Sequence, residues 1–253
     1  MIKKYFALVV LLGGITLGNA AVYNIGQEGN IYLGFYAANE VSTKSVLINI
    51  GTSEDCFNGF TLNLSTNTYV VSVFGNNWYN NFQVFWSLIG YDGNYGQSGS
   101  VYAGRPTSQP LLQTDVLGST SLNEDQYFAL SDKIGALFTT HTAGNSTLSY
   151  VTGSRGNSHQ ISVVDNSPTS FAGLAGNNYG TFTAAAWEQI IGGLSIQQFA
   201  FDGVNSFPTT FDGTYGEVMQ SNGIISVVPE PSTYALIILG ALSLYGAYRR
   251  KVA

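Results

Sequence analysis

Apolar residues recur at every second position in short runs along residues 21–228. Ile31, Leu33, Phe35 and Ala37 share one face, as do Val46, Ile48 and Ile50. The same spacing links Tyr69, Val71 and Val73, then Phe82, Val84, Trp86 and Leu88. Leu148 with Tyr150, Ile161 with Val163, Phe199 with Phe201, and Ile225 with Val227 continue it. Side chains alternate across a strand, so each run predicts a β-strand with one apolar face. Clusters of Gly, Asn, Asp and Ser separate the runs, and Gly153 to Ser158 reads as a hairpin loop.

Two stretches change period. Tyr127, Leu130, Ile134, Leu137 and Phe138 form a helical stripe, preceded by Ser121-Leu122-Asn123-Glu124 at capping-box spacing. Trp187, Ile190, Ile191 and Leu194 form a second, with Thr183 as a cap and Gly192-Gly193 as a stop. The expected fold is mainly β: an antiparallel β-sandwich-like domain over residues 21–228, with one or two packed helices. No repeat of about 20–50 residues is present.

The two ends follow other rules. Lys3 and Lys4 precede an apolar run from Tyr5 to Leu12, and Gly18-Asn19-Ala20 supplies small residues, so residues 1–20 read as a signal peptide cleaved between Ala20 and Ala21. At the other end, residues 229–253 begin Pro229-Glu230-Pro231. Two prolines make a stiff, extended segment that displays one charge. Tyr234 to Tyr248 is apolar or small except for Ser243. As a helix it spans about 22 Å, against a hydrocarbon core of about 30 Å. Pro231, Ser232 and Thr233 lengthen it, and Tyr245 and Tyr248 suit the interface. The expectation is a single C-terminal transmembrane helix over about residues 234–248. Arg249, Arg250 and Lys251 then act as a basic membrane stop on the cytoplasmic side.

Charge narrows the function. Only 9% of the 253 residues are charged, and the formal net charge is −6. Between the ends lie Lys44, Arg105, Lys133 and Arg155, against 14 of the 15 acidic residues. An acidic body with no basic patch repels phosphate backbones, so nucleic acid is not an expected partner. The lone cysteine, Cys56, rules out an internal disulfide.

Pro229-Glu230-Pro231-Ser232-Thr233, an apolar helix and a terminal Arg cluster, in that order, resemble the PEP-CTERM sorting signal. The resemblance covers about the last 25 residues. It implies export by a Gram-negative bacterium that makes exopolysaccharide. A membrane protease-transpeptidase, exosortase, recognises such a tail and removes it, and some members are glycosylated. Signal peptidase and an exosortase-like enzyme are then the processing partners, and the membrane is a transient anchor. A looser likeness runs from Ile31-Tyr32-Leu33-Gly34-Phe35 through Val46 to Gly51, Phe74-Gly75 and Trp78 to Val84-Phe85-Trp86-Ser87-Leu88-Ile89-Gly90. That pattern resembles exported PEP-CTERM proteins of Verrucomicrobia-type bacteria and implies no activity.

Candidate chemistry is sparse, and the chain is expected to be non-enzymatic, with no cofactor and no metal. His141 and His159 lack zinc-ligand spacing and read as surface residues of turns and strand ends. Ser154 and His159 are near in sequence, but there is no Gly-x-Ser-x-Gly elbow. Glu54-Asp55 and Glu124-Asp125 are adjacent carboxylates, which strands would point apart and turns would solvate. Asp92-Gly93-Asn94 and Asp202 lack the EF-hand offsets for calcium. The strongest binding candidate is Asn76-Asn77-Trp78-Tyr79-Asn80-Asn81, with Tyr91, Tyr95 and Tyr102 nearby. Rings stack on sugar C–H faces and Asn pairs with hydroxyls, so Trp78, Tyr79 and Tyr91 form a candidate site for exopolysaccharide. The competing reading makes Trp78 a core plug and the asparagines turn formers. The expected role is structural or adhesive at the cell surface or in the matrix. Alternatives are a carbohydrate-binding module and a secreted hydrolase.

Overall fold

Tyr32 and Leu33 are adjacent, point to opposite faces of one strand, and are both closed to solvent. A strand buried on both sides lies between two layers, and that determines the architecture. The computed structural model describes residues 20–27, 29–37, 42–92, 99–106, 124–176, 192–201 and 210–228, together with Gly240.

Among these residues one eleven-stranded sheet forms. Its strands are β1 (Val22–Tyr23), β2 (Asn30–Ala37), β3 (Lys44–Thr52), β4 (Phe60–Asn63), β5 (Val84–Asp92) and β6 (Gly99–Pro106), then β7 (Thr147–Thr152), β8 (Ser158–Asp165), β9 (Gly192–Phe201), β10 (Thr210–Ser221) and β11 (Ile224–Val228). The order is β1-β8-β3-β2-β5-β6-β9-β10-β11-β4, with β7 beside β8. Every pairing is antiparallel except β1 with β8. The protein is mainly β, as the periodicity predicts.

The inner face carries the residues whose alternation the sequence shows. Ile31, Leu33, Phe35, Val46, Ile48, Ile50, Val84, Trp86, Leu88, Ile161 and Val163 are buried there. They share one core with Phe60, Leu62 and Leu64 around β4, Val218 of β10, and Ile225 and Val227 of β11. The sheet therefore folds back over itself, and its ends meet. Ser154, after β7, donates its N–H to Thr61 O at 2.9 Å, and Thr61 N–H donates to Ser154 Oγ at 3.0 Å.

Two helices cover the outer face: α3 (Glu124–Thr142) and α4 (Phe171–Gly176), following two short ones, α1 (Ser53–Asn58) and α2 (Thr68–Phe74). Ile134, Leu137 and Phe138 of α3 are buried. The Phe138 ring lies 4.4 Å from that of Tyr32. Phe171 sits directly on Gly34, where a Cβ would collide with its ring. A bare backbone at that position is what lets α4 approach.

Local chemistry explains several departures from the expected pattern. Tyr69, Val71 and Val73 belong to helix α2, not to a strand. Asn67 caps it by accepting from Tyr69 N and Val70 N, and Gly75, at φ 84°, ends it. Val70, Val73 and Phe74 are the buried stripe, so cap, stop and helical spacing overrule the β-branched composition. Leu194 lies on β9, so it is not the end of a helix, and residues 183–191 of that expected helix fall outside the described residues. Phe82 precedes β5 and is 71% exposed. Leu148 and Tyr150 are exposed on β7, while Val151 packs against the core. In β7 the run offers two phases and the apolar count alone selects the wrong one, whereas in β5 the phase holds for Val84, Trp86 and Leu88 and Phe82 lies ahead of the strand. The hairpin from Gly153 to Ser158 forms, with Gly153 N–H donating to Asn157 O and Gly156 at φ 81°. An Asn222-Gly223 turn joins β10 to β11, both residues having positive φ, the geometry a two-residue hairpin requires.

Residues 1–19 of the expected signal peptide and Pro229, Glu230, Pro231, Arg249, Arg250 and Lys251 lie outside the described residues. Gly240, inside the expected spanning segment, is helical and exposed. Among the described residues no helix is long and apolar enough to cross a membrane.

Candidate functional site

The closing seam of the sheet gathers a cluster of polar side chains. The capping box of α1 places Asp55 there: its Oδ2 accepts from Thr52 N at 2.9 Å and Thr52 Oγ1 at 2.7 Å. The Tyr23 hydroxyl lies near the same carboxylate and accepts from Asn157 Nδ2 at 3.1 Å. Burial first, and Asp55 second, hold the phenol protonated well above its ordinary range. Cys56, next in α1, is fully buried, and burial pushes its thiol up, with the Asp55 charge acting in the same direction. A thiol kept protonated and dry packs; it does not attack.

His159 lies in the same seam, its ring 5.0 Å from Tyr23 and 5.0 Å from Phe60. Its Nδ1 faces Asn49 O at 3.0 Å, so the neutral ring carries its proton there. Burial lowers its pKa, while the Asn49 carbonyl and Asp55 pull the other way. Nε2 is buried without a hydrogen-bond partner. Ser154 Oγ is engaged by Thr61 N–H, so Ser154 and His159 do not form a nucleophile–base pair.

His141 looks more like half of a dyad, since its Nδ1 lies 3.1 Å from Ser162 Oγ. The proton flow is wrong for a base. Ser162 Oγ donates to His141 O at 2.7 Å, so the imidazole donates to the serine and cannot accept its proton. Both side chains are inaccessible, and burial drives the His141 pKa down to about 3. The expectation of surface histidines is corrected at both positions. The sequence did hold the signal: His141 extends the stripe of Ile134, Leu137 and Phe138, and His159 shares a face with Ile161 and Val163.

The aromatic candidates separate. Trp78 is 1% exposed, donates from Nε1 to Leu64 O at 3.3 Å, and meets Phe35 edge-on. It plugs the core and offers no face to a sugar. Tyr79 is half-buried, its hydroxyl bonded to Asn77 Oδ1 at 3.0 Å, while Asn76, Asn77 and Asn80 are exposed. The side chain of Tyr91 and all of Tyr95 lie outside the described residues, and Tyr102 is in the core. The alternation placed Phe82 in the core, yet it stands exposed in this loop.

Of the remaining candidates, Glu54 and Asp55 occupy the first turn of α1, and Glu124 and Asp125 open α3. Asp92 ends β5; Gly93, Asn94 and Asp202 are outside the described residues. Among the described residues no group of three or more His, Cys, Asp and Glu is placed to hold a metal ion. No protein-family model, curated protein or solved structure matches the chain.

Proposed function

We propose that the chain is an exported surface or extracellular-matrix protein of a Gram-negative bacterium with a structural or adhesive role. Signal peptidase removes residues 1–20, the helix over about residues 234–248 anchors the precursor in the inner membrane, and an exosortase-like enzyme reads Pro229-Glu230-Pro231. The order of those three parts of the tail is the observation that carries this reading. The bounds of the domain support it. Ala21 is tied into the sheet through its N–H to Asn157 Oδ1 and through its carbonyl, which accepts from Ser158 N. Val228 is paired to Glu217 at the other end. The five residues from Pro229 to Thr233 reach at most about 17 Å, so the precursor holds its domain against the bilayer. The sandwich-like architecture draws support from the single core shared by the two halves of the sheet.

Intact-mass measurement on protein from the producing cells tests this. The expected mature species lacks Met1 to Ala20 and most or all of the segment after Val228. A mature species that retains Tyr234 to Ala253 overturns the release step.

Exposed Phe82 beside Tyr79 and the asparagines favours a second reading, an exopolysaccharide-binding surface. Retention on the cell's own polysaccharide that is lost in Phe82→Ala and kept in a distant surface variant would support it.

A further inference from the structure

We propose that protonation of His159 releases the tip of the β7–β8 hairpin from β4, opening the seam of the sheet while the rest of the fold stays closed. The ladder between β3 and β8 ends where Ile48 lies opposite Ile161. His159 and the loop before it therefore overhang that ladder. Beyond it the tip is held by the two residues of β1, by Ala21 on Asn157 and Ser158, and by His159 Nδ1 on Asn49 O. Its only hydrogen bonds to β4 among the described residues are the reciprocal pair between Ser154 and Thr61. On its other edge β4 is paired to β11 along its whole length, from Phe60 to Asn63. The seam is thus the weaker join of β4, and local openings start at such joins.

His159 lies inside this join. A Cβ on Gly153 would sit 3.0 Å from His159 Nε2 and 3.2 Å from the Leu62 side chain, so Nε2 faces the gap between hairpin and β4. Phe60 stacks on the ring from β4, and Tyr23 lies against it from β1. Nε2 finds no hydrogen-bond partner there. A neutral ring leaves one acceptor unmet at that point. An imidazolium sets a charged donor among apolar groups, at far greater cost.

The ionisable groups around the ring are Tyr23 of β1, Asp55 and Cys56 of α1, and Arg155 of the hairpin. Tyr23 and Cys56 are held protonated, and Arg155 is exposed. Asp55 attracts a proton to His159, yet its Oδ2 is taken up by Thr52, and burial outweighs that attraction. Swinging the tip outward gives Nε2 to water. The open form therefore binds the proton more tightly, and opening is favoured as pH falls below about 6.5. At His141, beneath α3, burial acts unopposed and sets the pKa at about 3, so the seam responds first.

Amide hydrogen exchange on the full chain in a non-ionic detergent, at about pH 7.5 and about pH 5.5 and corrected for intrinsic rates, tests this. Protection at Thr61 and Ser154 is expected to fall about tenfold between the two, while β2, β3 and α3 keep theirs. His159→Phe keeps an aromatic ring against Phe60 and should abolish the fall; His141→Gln should leave it in place. In the wild type, the His159 ring should titrate, by nuclear magnetic resonance, together with the loss of protection. Unchanged protection at Thr61 and Ser154 overturns the proposal. So does a loss shared equally by β2 and β3, or one that persists in folded His159→Phe. If that variant does not fold, the wild-type titration decides: a protonated ring beneath a protected seam overturns the proposal.

Discussion

The central strands are equally dry on their two faces but are packed by different means. On the inner face Ile31, Leu33, Phe35, Val46 and Ile48 meet other apolar side chains, and shape does the work. On the outer face, beneath α3 and α4, Ser45, Asn49, Gln160 and Ser162 are buried alongside Tyr32 and Leu47. There hydrogen bonds organise the layer: Asn49 Nδ2 donates to Asn24 O, Gln160 Oε1 accepts from Ile25 N, and Ser45 Oγ accepts from Ala172 N. The inner layer is sensitive to changes of shape, and the outer layer to loss of hydrogen-bond partners.

The widest separation is expected from truncating the inner face. Phe35 contacts both Trp78 and Trp86 and is inaccessible, so Phe35→Ala should cost about 3–5 kcal/mol in chemical denaturation. Acid comes next and acts on the outer layer. Folding depresses the His141 pKa to about 3, below the ordinary value of about 6.5. The unfolded chain therefore binds the extra proton first. Stability from this group is complete above pH about 6.5 and is lost as pH falls toward about 3, about 2 kcal/mol having gone by pH 5. His159 shifts in the same direction and adds to the loss. Denaturation midpoints measured from pH 7 to 4 check this, and His141→Gln should flatten the curve.

Removing the partner hydroxyl is a smaller change. Ser162→Ala strands the His141 Nδ1 proton and should cost about 1–2 kcal/mol, whereas an equal loss of apolar bulk on the inner face costs less. The smallest effect is expected at the seam. Ser154→Ala removes one exposed hydrogen bond to Thr61 N and should cost about 0.5–1 kcal/mol, read as a small shift in denaturation midpoint.

Strands with a clear apolar phase were legible from residue order alone. Ile31 to Ala37, Val46 to Ile50 and Ile225 to Val227 lie where period two puts them, and α3 lies where Ile134, Leu137 and Phe138 put it. Val70, Val73 and Phe74 were hidden by the overlapping period of Tyr69, Val71 and Val73, which only the Asn67 cap and the Gly75 stop resolve. Burial of the second face was invisible because it is carried by serine, asparagine and histidine, whose partners lie on distant elements. The aromatic site was half legible. The loop of Tyr79 is at the surface, but Trp78 turns inward because Leu64 O and the rings of Phe35 and Tyr79 receive it.

Strand β4 has a consequence for how the molecule is made. It lies early in the chain yet takes its ladder from the final strand, with Leu62 opposite Ile225. Closing so long a loop is entropically slow, and it cannot begin until the last residues of the domain have been synthesised. A nascent polypeptide of this design stays open while it emerges and locks shut only when its final strand arrives.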